Sequence, residues 1–194
     1  MRRSLLALIL LATVTAASAD NTDSRAADAP DLVHLKPYAA NGVSFQLPSN
    51  WTVTWSGRLE DTNGQGVDIE ADKAAFEVLT LGVTVQVVPT KVAPTLKGTA
   101  AYLYNLQVDD KPAQYTKANY EPIMLNGKYP ALASRYSHKI FKDDRVYAHR
   151  LDLIASKPCG DGWTCIIFSS GLAANENPAK QGMAKIYETV RYQP

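Results

Sequence analysis

Reactive side chains are scarce in this chain. It holds two cysteines, three histidines and three methionines among 194 residues. That shortage excludes several readings. There is no HxH, HxxxH or HExxH spacing to build a metal site. There is no G-x-S-x-G elbow and no Walker or GxGxxG loop. Basic and acidic residues nearly balance, 20 against 19. No basic patch or stripe stands out, so neither nucleic acid nor an anionic membrane surface is an expected partner. Only one long apolar run is present, and it lies at the start.

That start is informative. "MRR" is a charged head, "SLLALILLATVTA" an apolar stretch too short to span a bilayer, and "ASA" before Asp20 a small-x-small cleavage site. Together they predict a secretory signal peptide over residues 1–19. Arg2-Arg3 also invites a twin-arginine reading, but the rest of that signal is poor. No cysteine follows the cleavage site, so no lipid anchor is expected. Two of the 20 basic residues leave with the leader and none of the 19 acids, so the mature chain has a net charge near −1. The expected location is periplasmic or secreted, with no membrane insertion after cleavage.

An oxidising compartment makes sense of the cysteines. Cys159 and Cys165, in "KPCGDGWTC", are predicted to form a disulfide at a hairpin tip. So short a loop gains only about 2 kcal/mol of chain-entropy stabilisation. Its role is to shape the tip. Trp163 lies inside this loop. It is either a contact residue for a partner or an indole folded back onto the sheet.

The remaining chain reads as one domain. Residues 20–36 are polar and aperiodic, which predicts a flexible tail before a domain over 37–194. "VSFQL" alternates, Pro48-Ser49-Asn50 forms a turn, and "WTVTW" alternates again with Trp51, Val53 and Trp55 on one face. These two strands are expected to form an opening hairpin. "SGRLEDTNGQG" reads as a long polar loop and "VDIEAD" as a short strand. "FEVLTLGVTVQVVP" reads as a central strand. Thr95 caps a helix. Asn126-Gly127 is a hairpin turn between two strands. "TCIIFSSGLA" is the last strand. "NENPAKQGMAKIYETVRYQP" closes as a helix, with Met183, Ile186, Tyr187 and Val190 on one face. Late antiparallel strands with helices at two separate places make an α+β domain.

The order resembles that of PsbP-like domains. The resemblance rests on "VSFQLPSNW", on "VVP" before the first helix, on "IMLNGKYPALASRYS" and on "MAKIYETVRY", over roughly residues 41–192. That superfamily includes the PsbP protein of photosystem II, a nuclear import factor that binds the GTPase Ran, and small exported bacterial proteins. The resemblance implies an α/β/α sandwich, a central antiparallel sheet flanked by helices. It also implies a non-catalytic accessory or partner-binding role. No residue matches a functional motif of the family, so none is carried over.

Two histidines supply a second reading. If 142–145 is a tight hairpin, His138 faces His149 across two strands. Such a pair can hold a divalent metal with a third ligand, or act as a pH switch. The plainer alternative is that both pack at the rim of the core. Asp109-Asp110 and Asp143-Asp144 sit at turns and read as solvated. From sequence, then, the protein is an exported, non-enzymatic binding or accessory protein without a cofactor, contacting an unknown envelope or secreted protein through 56–66 and 158–165. The alternative is a small-ligand or divalent-metal-binding periplasmic protein, and a secreted hydrolase has the least support.

Overall fold

The computed structural model describes residues 27–72, 81–110, 119–139 and 147–194. The leader lies outside them. Ten strands and two long helices fall within them. Strands β1 (Leu35–Ala40), β2 (Val43–Pro48) and β10 (Arg191–Tyr192) form a small sheet in the order β1-β2-β10. Strands β3 (Thr52–Leu59), β4 (Gly64–Asp72), β5 (Leu81–Pro89), β6 (Glu121–Leu125), β7 (Tyr129–Lys139), β8 (Tyr147–Gly160) and β9 (Trp163–Leu172) form a seven-stranded sheet. Its order is β3-β4-β5-β9-β8-β7-β6. Every pairing is antiparallel.

Alternation along the strands sorts the residues into two faces. Val67, Ile69, Val83, Val85, Leu151, Leu153 and Ile167 are buried on one face, beneath helix α2 (Glu176–Thr189) and the small sheet. On the other, Val88, Ile154 and Ile166 pack with Ala100 and Leu103 of helix α1 (Leu96–Asp110). The domain is therefore the expected α/β/α sandwich, with the small sheet sharing a layer with α2.

Local signals work where their chemistry is self-contained. Thr95 caps α1: its hydroxyl accepts from Gly98 N at 3.0 Å, and Thr99 N donates to its carbonyl at 2.8 Å. Asn126 and Gly127 take positive φ, 47° and 66°, and join β6 to β7. Helix α2 buries Met183 and Ile186 and ends with Val190 N bonded to Ile186 O.

The opening segment departs from expectation. β2 and β3 do not form a hairpin; they belong to different sheets. Pro48 ends β2, Trp51 N donates to Pro48 O at 3.1 Å, and the indole of Trp51 turns fully into the core. Its ring lies against α2 at Gly182, where a Cβ would overlap it. Trp51, Val53 and Trp55 do not share one face either. A β-bulge between Val53 and Trp55 makes Thr54 an extra residue and sets Trp55 opposite Asp68. The expected loop over 56–66 is mostly strand, with only residues 60–63 turning.

The tail expected over 20–36 is in fact seated from residue 27. Ala27 N donates to Asn175 Oδ1 at 2.6 Å, and Asn50 Nδ2 donates to Ala29 O at 3.1 Å. The Asp31 carboxylate accepts from Ser49 Oγ at 2.6 Å and from the amides of Val33 and His34. Leu35 and Lys36 already belong to β1, an edge strand where Pro37 breaks no ladder. The polar residues that read as tail are those that tie it down.

Two outcomes follow. A helical Gly→Ala change ordinarily gains about 1 kcal/mol. Gly182→Ala is expected instead to lose about 1–3 kcal/mol in denaturant unfolding, because the methyl must displace Trp51. Asp31 is held down to about 2, first by the Ser49 hydroxyl and then by the His34 amide. A depressed carboxylate stabilises fully above its ordinary value of 3.8 and loses that contribution as pH falls toward about 2. The protection of the Val33 and His34 amides against hydrogen exchange, taken relative to their intrinsic rates, is expected to fall across that window, and Asp31→Asn to remove that fall.

Candidate functional site

Both regions expected to make contacts lie at one end of the large sheet. The β8–β9 hairpin turns at Asp161-Gly162, with Gly162 at φ 75°. Cys159 and Cys165 are bonded across it, their Cα atoms 5.6 Å apart. A register shift between Pro158 and Gly160 accompanies the bond. Two strands over from β9, the β3–β4 turn holds Asn63 at φ 55°, with Arg58 Nη2 donating to Asn63 Oδ1 at 2.5 Å. Strand β5 lies between the two hairpins. Just past its end, Thr90 N donates to Gly162 O at 2.8 Å. The two tips therefore share one edge, and one of them is covalently stapled.

Trp163 is half-buried in that hairpin. Its ring meets Tyr192 edge to face, 4.9 Å between centroids. The indole thus braces the tip against β10, the alternative weighed from sequence, and leaves part of its surface outside.

The histidines are not brought together. Ser137 pairs with His149 and His138 with Ala148, one residue away from the expected register. Positions 138 and 149 consequently belong to opposite faces of the sheet. The reason lies in the turn. Lys139 pairs with Tyr147, which places seven residues between the strands rather than a tight reversal. The turn residues 142–145 are outside the described residues. Among those described, no three His, Cys, Asp or Glu side chains gather closely enough to hold a metal. His34 keeps to the surface beside Asp31, Nδ1 to Oδ2 3.1 Å.

The corrected register uncovers a polar seam on the α1 side. Asp152 pairs with Ser134 and with Ser170, and Arg150 pairs with Tyr136. Asp152 and Ser134 are buried. Tyr136 Oη donates to Asp152 Oδ1 at 3.3 Å, and Arg150 Nη2 donates to Ser170 Oγ at 2.8 Å. Burial pushes the Asp152 carboxyl up, against the Ser170 hydroxyl and the Arg150 charge. Burial also pushes the Tyr136 phenol up to about 12, and the Asp152 charge adds to it. The seam can hydrogen-bond. Charged residues alternating with leucine on a strand paired on both sides, "RLDL", were the signal for it.

Two clefts flank the end of α2 and share Glu188. One, of about 270 Å³, opens between Leu32, Tyr129 and Ala184; the other, of about 570 Å³, lies over Tyr38, Phe45 and Arg191.

No protein-family model matches the sequence, and no curated protein matches it. Solved structures do. The Ran-binding protein Mog1p of Saccharomyces cerevisiae superposes with a TM-score of 0.52 at 13% identity, over 82% of this chain and 95% of that one. A Mog1 point mutant gives 0.51, again at 13%, over 82% and 96%. The fold is thus the PsbP/Mog1-like one that the sequence resembles, and at this identity the likeness is one of fold alone. Cyanobacterial PsbP from Synechocystis sp. PCC 6803 aligns with a TM-score of 0.45 at 13% identity, over 82% and 92%.

The seam yields a signed expectation. A carboxyl whose folded value is raised subtracts stability as pH climbs from its ordinary value of 3.8. Asp152→Asn removes that penalty. Denaturant midpoints of the parent, measured from pH 4 upward, are expected to fall relative to the variant. A constant difference across pH would place the cause of the burial shift elsewhere.

Proposed function

We propose that this protein is an exported, non-catalytic binding or accessory protein, acting by protein–protein contacts in the cell envelope or outside it. The observation that carries this reading is the convergence of two hairpin tips on one end of the sheet, one of them stapled by Cys159–Cys165. A disulfide at an exposed tip adds little to global stability. It does remove conformational freedom from a surface that must present one shape. Arg58, Glu60, Asp61, Lys91 and Asp161 give this end a mixed-charge character suited to a polar partner rather than an apolar peptide. Trp163 stands behind the tip and contributes its uncovered edge.

Other features agree. An even cysteine pair in disulfide form suits an oxidising compartment and the leader. No described helix is long and apolar enough to cross a membrane. Mog1p, a Ran-binding protein by name, shows that a fold of this kind serves partner binding.

The test is site-specific photo-cross-linking in an exporting host. A cross-linker at Asp161 and another at Asn63 are expected to give adducts of the same mass. Both should be lost in the Cys159→Ser/Cys165→Ser variant and reduced several-fold by Trp163→Ala. A cross-linker at Gln181 on α2 should give none. Adducts from Gln181 alone, or none from either tip, would overturn the reading.

A further inference from the structure

A second surface lies on the edge of the same sheet, apart from the hairpin tips. Trp55 belongs to β3, a terminal strand, and is 45% exposed. The bulge at Thr54 brings it to the α1-side face, opposite Asp68. Next along that face, Gly57 and Gly66 pair with each other across β3 and β4. A Cβ on Gly57 would come within 2.8 Å of the Trp55 Cζ2, and one on Gly66 within 2.7 Å of its Cζ3. The indole therefore lies over two bare stretches of backbone, a close approach that only glycine on both strands permits. One side of the ring is spent on this floor. The rest is open.

The surroundings limit what the ring can receive. Asp68 Oδ1 accepts from Thr84 Oγ1 at 2.8 Å, and Thr54 Oγ1 donates to Asp68 O at 3.3 Å. Glu70 and Thr52, paired with each other, follow on the same face. No lysine or arginine occupies a described position of this face on β3, β4 or β5. A nucleic acid or phosphate would need such cations. A protein hot spot would need an apolar pocket around the indole; here Leu59 borders the ring on the hairpin side only, and the positions on the other side are Thr52, Asp68 and Glu70. A pyranose ring fits both halves of the surface. Its apolar C–H face stacks on the negative face of the indole, and its rim of hydroxyls donates to carboxylates.

We propose that Trp55, laid over the Gly57–Gly66 pair and flanked by Asp68 and Glu70, is the stacking platform of a binding site for a neutral sugar ring. The site is shallow and holds a single ring, so binding to one sugar unit is weak, in roughly the millimolar range. It is independent of the hairpin tips and stands or falls without them.

Fluorine NMR of the mature chain labelled with fluorotryptophan tests it. Three tryptophans supply the signals, with buried Trp51 and braced Trp163 as internal references. The probes are maltohexaose, cellohexaose and chitohexaose. The expected result is a saturable shift of the Trp55 signal alone with at least one of them. Saturation transfer to that sugar should vanish in Trp55→Ala, persist in part in Trp55→Phe, and weaken several-fold in Asp68→Asn. No saturable shift with any probe, or undiminished transfer in Trp55→Ala, overturns the proposal. So does a Trp55 shift with choline chloride alone, which would identify the platform as a cation site.

Discussion

The contact between Trp51 and Gly182 joins what the rest of the chain builds separately. Trp51 stands at the crossing from the small sheet to the large one, and Gly182 is the point of α2 that admits a ring. Burying an indole removes about 150–250 Å² from water, or about 4–6 kcal/mol at the usual coefficient. The contact carries a penalty as well: Trp51 Nε1 is buried with no hydrogen-bond partner among the described residues. An unmet donor costs about 1–3 kcal/mol, so the apolar gain prevails. Lys36 adds to the same corner by donating to the Trp51 carbonyl at 2.5 Å. Both sheets and α2 thereby share one anchor.

That anchor divides the labour between the faces. The face under α2 is filled mainly with Val, Leu and Ile, with Ser169 buried among them and Arg135 at its rim paired to Glu176 of α2. The α1 face is apolar only where α1 lies on it. Beyond the helix it carries Asp68, Thr84, Ser170, Asp152 and Arg150 in adjoining positions on neighbouring strands. Polar residues on the inner strands of a sheet cost desolvation unless they meet one another, and here most do. Polarity has thus been gathered on one side, while the ends of the strands supply rigid tips.

What could be read in the sequence were the features whose cause lies within a few residues. The Thr95 cap, the Asn126-Gly127 turn, the stapled hairpin and the buried stripe of α2 need no distant partner. The PsbP-like order was legible too, because strand and helix succession survives where identity is low. What could not be read depended on pairings between distant segments. β1 is a strand only because β2 lies beside it, and β10 only because the chain end returns to Val43 and Ser44. The bulge at Thr54 leaves the alternation of "WTVTW" intact while moving Trp55 to the other face. The histidine pairing failed by one residue because an odd-length connection was read as an even one. Of the candidate surfaces, the stapled tip was visible from two cysteines. The floor beneath Trp55 was not, since Gly57 and Gly66 meet only across strands.

The small sheet also imposes an order of events on the newly made chain. β2 emerges early, yet one neighbour, β10, comes from the last residues, and Gln193 N donates to Gly42 O at 2.9 Å. Ala27 likewise waits for Asn175, 148 positions later. Contacts of such separation close only after the intervening chain has paid its loop entropy. Until residues 175–193 arrive, the chain lacks the third strand of one sheet, the seat of residues 27–31 and the helix beneath which Trp51 is buried. Its native state is thus completed only once residues 175–193 have been made. A polypeptide held open in this way remains threadable until that segment is made.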